Sequence, residues 1–191
     1  MEKKTFFIST IIGAIALSIL VPPALAQTST RDLSCKAWVN RLDGHINKAR
    51  NEKDRKVKRY TNVTERLRAF ANKYLSDPNA GDEAQALLSA VDTLQGMVSG
   101  TIEGQVDGLA EHYYNITTLM DKAKNKAIDC DKERPGARDE FKASLQEVKD
   151  AIAAGKQVAF GENGIKAYWQ NTGRPAAYAL RDAVKASQPQ P

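Results

Sequence analysis

The stretch DEAQALLSAVDTLQGMVSGTIEGQVDGLAEHYYNITTLMDKAKNKAIDC, Asp82 to Cys130, decides the fold. Its apolar rungs are Leu87, Val91, Leu94, Val98, Ile102, Val106, Leu109, Tyr113, Ile116, Met120, Ala123 and Ala127, ending on Cys130. Steps of three and four residues place them on one side of an α-helix. Three successive four-residue steps between Leu94 and Val106 predict a local shift of the supercoil. Gly96, Gly100, Gly104 and Gly108 recur every four residues, about 200° from the centre of that row at 100° per residue. Inside a helix they would cost roughly 2 to 4 kcal/mol relative to alanine, so the row needs a purpose. The reading adopted is a groove for close approach of another helix; the alternatives are a hinge or an exposed docking strip. Glu103, Asp107 and Glu111 exclude a membrane span, where repeated Gly-x-x-x-Gly would signal helix association.

Upstream, Ser76 to Gly81 is a turn by its proline and glycine, with Asp82 expected as the helix cap and Glu83 beside the positive helix end. So short a connection sends the second helix back antiparallel to the first. The first helix has rungs Cys35, Val39, Leu42, Ile46, Ala49, Lys53, Lys56, Tyr60, Val63, Leu67, Phe70 and Tyr74. This is coiled-coil spacing, and forty residues of it extend ~60 Å. Lys53 and Lys56 are polar rungs, their stems expected along the seam and their ammonium groups toward solvent or a neighbouring acid. Counted from Asn79, Cys35 lies 44 residues back and Cys130 lies 51 forward. Straight helices would leave the cysteines ~10 Å apart along the axis, a difference that a bend, an asymmetric turn or a non-helical start must absorb.

Downstream, Lys132 to Gly136 is a second turn. Phe141, Leu145, Val148, Ile152, Gly155 and Ala159 form one stripe of a third helix. Ala151, Ala154, Val158, Gly161, Ile165 and Trp169 form another beside it, giving a face wide enough for two neighbours. Phe160, Tyr168 and Trp169 are the expected knobs for the glycine row. A break or kink is predicted at Gln170 to Pro175, then a short helix over Ala176 to Ala186.

Residues 1–26 show a charged start, an apolar run and an Ala-Leu-Ala ending. This is a secretory signal pattern, with an uncleaved anchor as the alternative reading. Residues 27–186 are expected to form one helical domain and residues 187–191 a disordered tail, so the protein is placed outside the cytoplasm: periplasmic, cell-surface or secreted. In an oxidising compartment Cys35 and Cys130 are expected to pair. A redox-active pair would more often show Cys-x-x-Cys, which is missing.

The whole chain carries a net charge of +5, unevenly divided. Residues 31–76 hold 13 basic and 5 acidic residues, and residues 82–131 hold 3 basic and 9 acidic. Pairing of the two helices explains much of this asymmetry. The excess, Lys48, Arg50, Lys53, Arg55, Lys56, Lys58 and Arg59, is a candidate anion-binding patch for acidic lipid headgroups, an anionic wall polymer or an acidic protein segment. Its bland alternative is a solvated, self-neutralised face. Nucleic acid is a poor fit because no stacking aromatics interleave the charges.

His45 and His112, with Asp43 and Glu111 adjacent, are a sparse metal-site candidate, but neighbours in a helix diverge by about 100°. No di-iron, haem or zinc-protease motif is present in the sequence, so neither metal nor cofactor is expected. Asn62-Val63-Thr64 and Asn115-Ile116-Thr117 match the glycan acceptor pattern within helices.

Lys53-Asp54-Arg55-Lys56-Val57-Lys58-Arg59-Tyr60, with Leu94-Gln95-Gly96-Met97 and Trp169-Gln170-Asn171, resembles uncharacterised exported helical proteins of candidate-phylum bacteria, a group without a function to transfer. The architecture also resembles small periplasmic helical chaperones, without their Leu-Thr-x-x-Gln repeats or strand-rich body. The sequence thus implies an all-α, elongated antiparallel hairpin with a third packed helix and a short C-terminal helix. The expected role is a non-enzymatic spacer, adaptor or holdase with an envelope protein or anionic surface as partner.

Overall fold

The computed structural model describes residues 34–100, 108–130 and 135–187. The export segment, Ile102, Gly104, Val106 and residues 188–191 of the tail lie outside them. The described residues form an all-α bundle, and no helix among them is long and apolar enough to cross a membrane.

Helix α1 spans Cys35–Tyr74, opened by Ser34, whose hydroxyl accepts the Ala37 N–H at 3.3 Å. Its buried residues are Trp38, Leu42, Ile46, Ala49, Lys56, Tyr60, Val63, Thr64, Leu67 and Ala71. The middle of the expected ladder, apart from Lys53, is the seam. At its ends Trp38 and Ala71 replace Val39 and Phe70, because a 3.6-residue helix drifts ~20° per heptad from a strict seven-residue repeat.

The expected single helix from Asp82 to Cys130 is two helices, α2 over Gly81–Ser99 and α3 over Leu109–Cys130. Ala80 rather than Asp82 occupies the cap position of α2, and Asp82 and Glu83 lie in its first turn, where their charge favours the helix. Gly100 terminates α2 with φ of 82°, its N–H bonded to the Gly96 carbonyl at 2.7 Å. This left-handed helix stop is one that glycine adopts without strain. A Cβ on Gly108 would stand 2.0 Å from the Gly100 nitrogen, so the two backbones touch. Of the proposed helix-packing glycines, Gly100 and Gly108 therefore serve a break and its closure, not a groove for a third helix. Gly96 is buried within α2.

That break resolves the offset between the cysteines. Thr64 faces Gln95 and Arg68 faces Asp92 across α1 and α2. Continued at that register, Asp43 would face residue 116 or 117, whereas it binds Lys124. The seven residues between Gly100 and Gly108 supply the difference, and Cys35 and Cys130 meet in a disulfide with Cα atoms 6.0 Å apart.

Helix α4, Ala137–Phe160, begins at Gly136 and buries the expected stripe of Phe141, Leu145, Val148, Ile152, Gly155 and Ala159. Its own Gly155 gives the close approach to α3: a Cβ there would lie 3.4 Å from Ile116 Cδ1 and 3.7 Å from His112 Cβ. The helix stops at Phe160 because Gly161 is extended, and Phe160 is 45% exposed instead of filling a glycine hole. After Gly164 come α5, Ile165–Tyr168, a π-helical turn at Trp169–Gly173, and α6, Arg174–Ala186. The predicted break is thus a π-turn that keeps the chain helical into α6. Gly173 is required there, since a Cβ would meet the Trp169 ring at 2.5 Å.

Two cores lie end to end along α1. The C-terminal half of α1 joins α2, α5 and α6 around Leu67, Leu94, Ile165, Trp169 and Leu180. The N-terminal half joins α3 and α4 around Leu42, Ile46, Met120, Phe141 and Ile152.

Candidate functional site

The two cores meet where Glu52 to Tyr60 of α1 pass the first turns of α3. Adjacent residues of a helix diverge by about 100°, so Tyr113 and Tyr114 take opposite environments. Tyr113 is 3% exposed and faces α1; Tyr114 is 66% exposed and faces out.

Inside, Lys56 is 4% exposed and donates to the Tyr113 hydroxyl at 2.8 Å, with its Nζ 5.5 Å from that ring's centroid. Glu52, one helical turn earlier, places Oε2 at 3.7 Å from the same ammonium, beyond hydrogen-bond reach. That oxygen is buried without a hydrogen-bond partner among the described residues. Burial pushes Lys56 below the usual lysine value; Glu52 opposes the shift and Arg55 adds to it. Burial pushes Tyr113 up to about 12, with Glu52 and Tyr60 contributing, and burial likewise takes Tyr60 to about 12. Both phenols are therefore neutral at physiological pH. One turn further, the Thr64 hydroxyl donates to the Gln95 side-chain oxygen at 2.6 Å, tying α1 to α2. A buried ammonium that loses its acceptor is costly, so this cluster fixes α1 and α3 at one register.

Outside, that register builds a shallow cavity of about 410 Å³. Arg50, Lys53 and Asp54 line it from α1, and Tyr114, Thr117, Thr118 and Asp121 from α3. Tyr114 and Thr118 also line a second hollow, of about 260 Å³, with Glu111, His112 and Asn115. Arg50 and Asp121 pair at 2.8 Å across the first hollow, both side chains remaining about half exposed. The Thr117 and Thr118 hydroxyls donate to the Tyr114 carbonyl at 2.8 and 3.0 Å.

The candidate anion-binding residues are separated by this arrangement. Lys56 lies in the core and does not join a surface patch. Arg50 and Lys53 line the α1–α3 cavity. Lys48, Arg55, Lys58 and Arg59 are exposed, and Lys48, Arg55 and Arg59, seven and four residues apart, share one stripe of α1.

The histidines do not converge. Asp43 faces Lys124 and Lys56 faces Tyr113, so His45 and His112 stand about ten residues apart in height, ~15 Å. His45 is held below the usual histidine value by burial and by Arg41 and Lys48. Among the described residues no group of three or more His, Cys, Asp or Glu side chains is placed to hold a metal ion. The acceptor threonines Thr64 and Thr117 are both buried.

Sequence reasoning missed the Tyr113–Tyr114 division. The signal was present: Tyr113 is a rung of the second ladder, and its neighbour must then point away. No family model, no curated protein and no solved structure matches the chain.

Proposed function

We propose that the chain is a non-enzymatic extracytoplasmic binding protein that presents the α1–α3 face around Tyr114. The observation carrying this reading is the exposed Tyr114 ring between two hollows, on a register held by the buried Lys56–Tyr113 contact. An aromatic side chain left in solvent beside polar, recessed surface is the composition of recognition sites, where rigid rings add contact area at low entropic cost. Export is inferred from the pattern of residues 1–26, with which the Cys35–Cys130 disulfide is compatible. A second reading is favoured by the stripe Lys48, Arg55 and Arg59: association with an anionic envelope surface.

One experiment separates the two. A photo-crosslinking side chain is installed in intact cells at Tyr114, at Arg55 or, as a control, at the exposed Lys142 of α4. The expected result is a discrete envelope adduct from Tyr114 alone. Adducts only from Arg55 would transfer the function to the basic stripe, and equal yields from all three positions would overturn both readings.

A further inference from the structure

From the chemistry of the two hollows we infer that the Tyr114 face binds an uncharged glycan strand bearing acetamido groups. This rests on the binding-face reading above and names its ligand. Three properties support it. Charge is balanced in the first hollow, where Arg50 and Lys53 stand against Asp54 and Asp121, so neither a polyanion nor a polycation is favoured there. Both hydrogen-bonding senses are present within one small surface. Arginine and lysine only donate, carboxylates only accept, and each sugar hydroxyl or amide presents both functions. Apolar surface is also available. Tyr114 is 66% exposed, and no aromatic or cation contact to its ring occurs among the described residues.

The threonines sharpen the choice. The hydroxyl protons of Thr117 and Thr118 are committed to the Tyr114 carbonyl. Thr117 is buried, so it is the exposed Thr118 that offers a ligand oxygen lone pairs and a methyl group, which match an amide N–H and an acetyl methyl. The sugar C–H face then lies against the tyrosine ring, whose face is electron-rich.

Chitotetraose is the probe and maltotetraose, which lacks acetamido groups, the comparison. Each is titrated into the oxidised protein by isothermal calorimetry, with heteronuclear NMR following the Tyr114, Thr118 and Asn115 signals. Saturable binding of chitotetraose is expected, insensitive to salt because the ligand is uncharged. Tyr114→Phe should retain it, and Tyr114→Ala should weaken it roughly tenfold or more. Circular dichroism controls for folding of the variants. Equal affinity for maltotetraose overturns the acetamido assignment. No saturable shift, or affinity unchanged in Tyr114→Ala, overturns the glycan altogether. In that event a protein adduct from the Tyr114 photo-crosslinker leaves the binding face standing with another ligand, and loss of the adduct as well removes both.

Discussion

The two ends of the molecule solve the same problem differently. At one end α1 passes into α2 through a short turn, in which the Asn79 N–H bonds to the Asp77 carboxylate at 2.8 Å, and α6 covers the pair. At the other, α1 and α3 have no connecting chain, and the Cys35–Cys130 bond takes the place of a turn while α4 covers the pair. Interhelical ion pairs concentrate at the disulfide end: Arg50–Asp121, Lys124–Asp43, Lys122–Glu147 and Lys126–Glu140. Arg68–Asp92 is at the other. Exposed pairs contribute about 0.2 to 1 kcal/mol each, so the covalent closure outweighs them and the sequence-distant end depends on it.

The largest effect expected is therefore loss of that bond. Cys130→Ser should cost about 4.7 kcal/mol on the chain-entropy account, given the 95-residue separation. In hydrogen exchange the loss should fall first on α3, α4 and the start of α1, while α2 and α6 keep their protection. Uniform loss along the chain would mean that the two cores unfold as one unit.

The converse is Leu180→Ala, which truncates a side chain with no exposure, where α6 closes the other core. It should cost roughly 3 kcal/mol, read as a shifted denaturation midpoint with the exchange loss at α2 and α6. A loss centred on α4 would erase the distinction between the ends.

Smallest is Tyr113→Phe, at the junction. It removes one acceptor of the Lys56 ammonium and should cost about 1 to 3 kcal/mol at neutral pH. The same variant changes the alkaline limb. The Tyr113 pKa is raised from 10 to about 12. Between those values the folded state holds a proton the unfolded state has released, so this contribution is complete below pH 10 and lost as pH rises to 12. Lys56 has the opposite sign, its folded value lying below the ordinary one, so its burial penalty eases as pH rises. Denaturant melts across that window should fall less steeply in Tyr113→Phe than in the parent. An identical slope would remove Tyr113 from the titration.

Much of this was legible in the residues, because burial follows helical periodicity. Every described rung of the second ladder from Leu87 to Ala127 is buried, as is the first stripe of α4. The helix break was not legible from the apolar row, which continues across it in sequence. It resides in Gly100 and Gly108, whose role depends on one backbone meeting another, a contact that periodicity does not encode. The basic patch misled for a related reason. Seven neighbouring cations in a helix point in all directions, and of the two seam lysines Lys56 turns inward while Lys53 lines the surface cavity. The outward face around Tyr114 emerged only once α3 was set in register against Arg50 and Lys53.

The contact between Gly100 and Gly108 also separates length from register. Each bundle is positioned by its own partners, Thr64 with Gln95 on one side and Lys56 with Tyr113 on the other. Gly100 and Gly108, which flank positions 101–107, stand in backbone contact. Extra residues there would displace neither helix, and each doubling of the connection would add only about 0.6 kcal/mol of closure entropy. The same insertion within α2 or α3 would rotate every apolar rung beyond it. Between Gly100 and Gly108 the waist therefore offers a port where a new segment, even a folded one, can be grafted without rewriting either core.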